Sequence, residues 1–121
     1  MNIARLFQIL GAILILVGLI GFVNNPIFGL FGVNVLHNLI HIVTGAALVY
    51  GGMAGGSTMG LIARVFGIIY AIVTVGSFVP GLNDLLNSLI VNNVADALLH
   101  ALLAVVLLYV GFGMRQLASA R

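Results

Sequence analysis

Apolar positions in this chain neither alternate with polar ones nor form a single stripe; they run on unbroken. LGAILILVGLIGFV and LLHALLAVVLLYVGF are the purest examples. Runs near the ~20 residues that a helix needs to cross a bilayer occur four times, at about 4–23, 34–53, 61–80 and 94–114. A transmembrane barrel would instead alternate apolar and polar residues over short strands. The predicted fold class is all-α: an integral membrane four-helix bundle, with 1–121 as a single transmembrane domain and almost nothing left over for a soluble one.

The segments between the runs differ in character. MAGGSTMG, residues 53–60, reads as a short Gly-rich link. In GLNDLLNSLIVNN, Leu82, Leu85, Leu86, Leu89 and Ile90 recur at helical spacing with Asn83, Asp84, Asn87 and Ser88 between them, which predicts an amphipathic turn or two in the membrane interface. Its counterpart NNPIFGLFGVN is apolar, with Pro26, Phe28 and Phe31, and is expected at the same depth.

Sliding the chain against itself by 59 positions exposes an internal repeat. ARLFQILGAI then lies over ARVFGIIYAI, and VLHNLIHIVTGAALVYGG over VADALLHALLAVVLLYVG. About fifteen of roughly fifty aligned positions are identical without a gap. The polar matches carry most weight, because Leu against Leu is cheap in a membrane protein: Arg5 with Arg64, Asn24 with Asn83, Asn34 with Asn93, His41 with His100. The bundle is therefore expected to be a tandem repeat of two-helix units, repeat 1 at about 4–52 and repeat 2 at about 63–111. Helices two and four are then equivalent about a pseudo-twofold axis along the membrane normal.

Composition adds topology. Only 5% of residues are charged against 63% hydrophobic, with a mean hydropathy of +1.32. The net charge of +2 comes from four arginines, too few for a basic patch, so no nucleic-acid partner is expected. Arg5 precedes the first run, Arg64 lies near the start of the third, and Arg115 and Arg121 follow the fourth, whereas the loops at about 24–33 and 81–93 hold no Lys or Arg. The positive-inside rule places both termini in the cytoplasm. The first run has no small-residue cleavage site after it and recurs as the third, so it reads as a mature helix rather than a secretory signal. Without cysteine there is neither a disulfide framework nor a thiolate metal site.

Candidate chemistry is confined to a few polar residues inside the apolar runs. Helix two offers His37-x-x-x-His41 and helix four, by the repeat, Asp96-x-x-x-His100; spacing of four puts each pair on one helix face. Ionisable groups at membrane depth cost several kcal/mol unless satisfied, so they tend to face the bundle interior and mark function. Asn34 and Asn93 stand where helices two and four begin and are expected as N-caps. Asn38 is a candidate neighbour of the same cluster.

The pattern LHNLIH…TG in the first half and N-x-AD-x-L-LH in the second resembles the bacterial membrane family catalogued as domain of unknown function 4383. The resemblance covers nearly the whole chain. It implies a small four-helix protein of the bacterial inner (cytoplasmic) membrane and singles out Asn34, His37, Asn38, His41, Asp96 and His100, but it brings no activity with it. The family's Asn and Trp after the Asp are replaced here by Ala97 and Leu98.

Three readings of those residues compete. In the first, the histidines and Asp96 brace helices two and four through hydrogen bonds, contributing on the order of 1 kcal/mol each, and the protein is a structural or accessory subunit. In the second, His37, His41, Asp96 and His100 hold a divalent metal; three imidazoles and a carboxylate suit zinc or iron better than calcium or magnesium, with Asn38 as an outer partner. In the third, His41 and His100 are axial ligands of haem b or another pigment, with Gly45 and Ala104 one turn further in leaving room for a flat ring. Catalysis is not expected, because the chain has no glutamate to serve as a general base. Four short helices leave little room for a transport path in one chain, although a homo-oligomer could enclose one, and a channel is not expected because no polar stripe runs along a helix. Beyond the lipid bilayer, the partners to consider are a second copy of the chain or a larger membrane complex. Gly11, Gly18, Gly21, Gly67 and Gly76 permit close helix approach within the bundle or against such partners, and Tyr50 with Tyr109 read as interface anchors.

Overall fold

The structure is a computed structural model that describes residues 2–113. Its elements are α1 (Ile3–Ile20), α2 (Val35–Ala54), α3 (Gly56–Ser77), the short α4 (Leu82–Leu89) and α5 (Val94–Leu108), which runs on into a π-helical turn at Tyr109–Gly113. Ile3–Ile20, Val35–Ala54, Gly56–Ser77 and Val94–Gly113 are each long and apolar enough to span a bilayer. A helix satisfies its own backbone polar groups, which is what the hydrocarbon demands.

Asparagine starts three of the four spans. The side chains of Asn2, Asn34 and Asn93 accept from the backbone N–H of Arg5, His37 and Asp96 at 2.7, 2.9 and 2.9 Å. Three boundaries differ from the hydropathy reading, one of them the end of the third span, at Ser77 rather than about 80. The first span stops at Ile20, where Gly21 caps it and a run of turns takes the chain across the bundle end. The Gly-rich link expected at 53–60 is almost entirely helix. Gly55 alone separates α2 from α3: its N–H donates to Gly51 O, and its own carbonyl accepts from Met59 N. With φ of 67° and a neighbour, Gly56, at 52°, this reversal requires glycine. Hydropathy marks where chain leaves the apolar phase, and a glycine turn can reverse direction without leaving helix.

α1 packs along α2, α3 packs along α5, and α2 meets α3 between the two pairs. Small residues set the spacing. A Cβ on Gly11 would lie 2.5 Å from Gly45 O, and one on Gly45 would lie 2.5 Å from Gly11 O, so neither helix tolerates a side chain there. Gly18 backs onto Asn38 O, Gly67 onto Leu108, and Gly111 onto the backbone of Arg64, whose guanidinium donates to Gly111 O at 3.1 Å. Lipid tails are as apolar as leucine, so contact of this closeness rather than hydrophobic exclusion is what joins the helices. Phe7, Leu14, Leu48, Tyr70, Leu103 and Leu107 fill the space between the pairs. Leu16, Leu39, Val43, Ile72, Leu102 and the expected anchors Tyr50 and Tyr109 are exposed around the perimeter.

α4 is amphipathic as its spacing predicts. It lies against α3, with Leu86 over Gly76, and bounds an apolar groove of about 540 Å³ with α3 and α5. The corresponding segment of the first half is a turn instead, closed by a bridge between Ile27 and Phe31 and by Asn25, whose side chain exchanges hydrogen bonds with Val33 N and O at 3.2 and 2.9 Å.

Candidate metal centre

The end of the bundle that carries α4 is where α2 and α5 begin. Asn34 caps α2 and its Nδ2 crosses to donate to Leu89 O at 3.0 Å; Asn93 caps α5 and its Nδ2 crosses to donate to Leu30 O at 2.8 Å. Each cap therefore also ties its own helix to the connection of the other half. Gly32 lies in the crossing, where an added Cβ would meet Val91 at 3.0 Å and Asn93 Nδ2 at 3.3 Å.

Beneath this cover, one face of α2 carries His37, His41, Thr44 and Leu48, and one face of α5 carries Asp96, His100, Leu103 and Leu107; every one of these side chains is buried. The recurrence at four, three and four residues is the inward stripe of a helix. His37, His41 and His100 are 1, 3 and 2% exposed, which closes them off from both lipid and water. Their ring centroids are 4.5 Å apart for His37–His41, 5.4 Å for His37–His100 and 5.9 Å for His41–His100. One nitrogen from each imidazole can be chosen so that all three lie within 4.8 Å of one another. The cluster sits about 10 Å or less from the start of its helices, at a rise of ~1.5 Å per residue.

His37 Nδ1 lies 2.6 Å from Val91 O. A carbonyl only accepts, so Nδ1 carries the proton and Nε2 holds the lone pair in the neutral ring. That Nε2 has no partner, and neither have the buried Nδ1 atoms of His41 and His100. Among the described residues no hydrogen bond joins two of the imidazoles. Buried polar atoms are rarely left so, and three in one cluster of imidazoles call for a partner.

The structure thus brings together three of the four ligands expected from sequence. Asp96 is buried, but its Oδ2 accepts from Asn93 N at 2.8 Å while Asn93 Oδ1 accepts from Asp96 N, a capping box that commits the carboxylate to the helix start. Asn38 is on the neighbouring face of α2, against Gly21 of the α1 terminus, and not among the imidazoles. The haem reading meets His37. Its ring stands beside the pair expected as axial ligands, 4.5 Å from His41 and 5.4 Å from His100, which are themselves 5.9 Å apart.

Tyr70 of α3 is the neighbour that sequence reasoning missed. Its ring is 5.4 Å from that of His100 and its hydroxyl donates to Thr44 Oγ1 at 3.0 Å, joining α3 to α2. Both positions break the repeat, Gly11 standing opposite Tyr70 and Leu103 opposite Thr44. That polar departure from symmetry was the available signal.

The model of the family described as Domain of unknown function (DUF4383) matches residues 5–113. No curated protein and no solved structure matches the chain.

Proposed function

For a chain that belongs to the DUF4383 family, a family of unknown function, we propose the role of a membrane-embedded protein that binds one transition-metal ion through His37, His41 and His100. The observation that carries this reading is a set of three buried imidazoles, each with an unpartnered nitrogen, that bring one nitrogen apiece within 4.8 Å of one another. Imidazole suits zinc, iron and copper, and a ligating histidine that gives its other N–H to a backbone carbonyl, as His37 does to Val91, is the usual arrangement at such sites. All three ligands come from one chain, so the site needs no partner subunit.

The bracing role competes less well. What ties the two halves together is Asn34 on Leu89, Asn93 on Leu30, His37 Nδ1 on Val91 and Tyr70 on Thr44, which leaves His41, His100 and His37 Nε2 unexplained. The tandem-repeat origin gains support from the same bonds. Asn34 and Asn93 are equivalent at the offset of 59, and so are their acceptors Leu89 and Leu30, which makes the crossing reciprocal. The proposed location is the bacterial cytoplasmic membrane with both termini inside. Arg5 and Arg64 stand at the Gly55 end of the bundle and support this, while Arg115 and Arg121 lie outside the described residues.

Metal analysis of the purified protein in detergent tests the reading. About one ion per chain is expected, lost in His41→Ala and in His100→Ala, with chelator lowering the wild-type melting temperature. Metal-free wild type whose melting ignores chelator would remove the site and leave a structural membrane protein with buried water among its histidines.

A further inference from the structure

Resting on the metal reading above, we propose that the ion held by His37, His41 and His100 is monovalent copper, Cu(I), in a three-coordinate site. The first ground is the donor set. Three imidazoles, with the proton of His37 placed on Nδ1 by Val91 O, supply three neutral lone pairs and no charge.

The second ground is charge. An ion's self-energy in a medium of low dielectric rises with the square of its charge, so a divalent ion in this position costs about four times what a monovalent one does before compensation. Compensation is scarce. The chain has two acidic residues in all, and Asp84 is exposed on the short helix α4. Only Asp96 is buried, one turn from His100 on the same face of α5, and its carboxylate is held by Asn93. One carboxylate balances one monovalent ion. Zn(II) or Fe(II) would leave an excess positive charge inside the bundle.

The third ground is coordination number. Cu(I) accepts three ligands in a plane, whereas zinc sites fill four positions. No fourth side chain is at hand among the described residues. Asp96 is in its capping box, Asn38 faces Gly21, and the Tyr70 hydroxyl is on Thr44.

The experiment is a competition on the full chain in detergent under argon. Protein is equilibrated with equal amounts of Cu(I), supplied as its acetonitrile complex, and Zn(II), then desalted and both metals are counted. Copper at about one per chain with zinc below about a tenth is the expected result. The bound copper should show the X-ray absorption edge of a three-coordinate Cu(I) imidazole site. Titration against bicinchoninate should find Asp96→Asn roughly tenfold weaker for Cu(I), with Asp96→Glu close to wild type. Zinc retained in place of copper, or Asp96→Asn unchanged, would overturn the copper assignment while leaving a metal site standing. Retention of neither metal would remove both. The competition and the absorption edge use the wild-type chain, so they decide the matter even if an Asp96 variant fails to fold.

Discussion

Asn34 and Asn93 each do two jobs with one side chain. Oδ1 satisfies an N–H at the start of a helix and Nδ2 reaches the opposite connection, so truncation loses a cap and a cross-tie together. Asn34→Ala and Asn93→Ala are expected to cost about 1–3 kcal/mol each, read by unfolding in mixed micelles, with Asn93 the larger because the capping box with Asp96 goes too. The Tyr70–Thr44 pair makes a different expectation. Thr44→Val alone should cost about 1–2 kcal/mol, since it leaves a buried hydroxyl unsatisfied, whereas Thr44→Val with Tyr70→Phe should come back close to wild type. A double-mutant cycle showing no coupling would mean that the bond contributes nothing net.

At the scale of elements, α1 and α2 depend on absent side chains. Gly45→Leu should cost upwards of about 2 kcal/mol and separate the pair, because the atom it meets is the backbone oxygen of Gly11 and cannot turn aside. Gly60→Ala is the matched control: only Arg64 Nη1 lies near, at 3.5 Å, so the change should be neutral or stabilise α3 slightly, by up to ~1 kcal/mol. Thermal unfolding of the two variants side by side checks the contrast. The second pair is built differently. Gly67 meets the larger Leu108, whereas in the first half Gly11 meets Gly45; only Gly52 and Gly111, equivalent at the offset of 59, are glycine contacts in both halves, on Ala4 and Gln8 and on Arg64.

For the whole molecule the expectation is one of orientation. Ser57 is exposed in the first turn of α3 and Ser88 stands on α4, at opposite ends of the bundle. A membrane-impermeant thiol reagent applied to intact cells should label Ser88→Cys and spare Ser57→Cys until the cells are opened. Labelling of Ser57→Cys alone would invert the topology. The arginines make this prediction, since the fold itself reads the same from either side of a bilayer.

Run length and polarity were enough to specify four helices long and apolar enough to span, an amphipathic α4 and the caps Asn34 and Asn93, because in a bilayer the backbone has one way to satisfy itself and capping is local chemistry within four residues. Spacing likewise put His37 with His41, and Asp96 with His100, on single helix faces. Which of those four would meet was decided by tertiary structure. A carboxylate four residues from a histidine can turn toward that histidine or to its own helix start, and the N–H of Asn93 holds Asp96 at the start. The collapse of the 53–60 link to Gly55, the rotation of Asn38 onto Gly21, and Tyr70 beside His100 are of the same kind. Each depends on how close two helices come, and that distance is fixed by which glycine faces which carbonyl across the bundle.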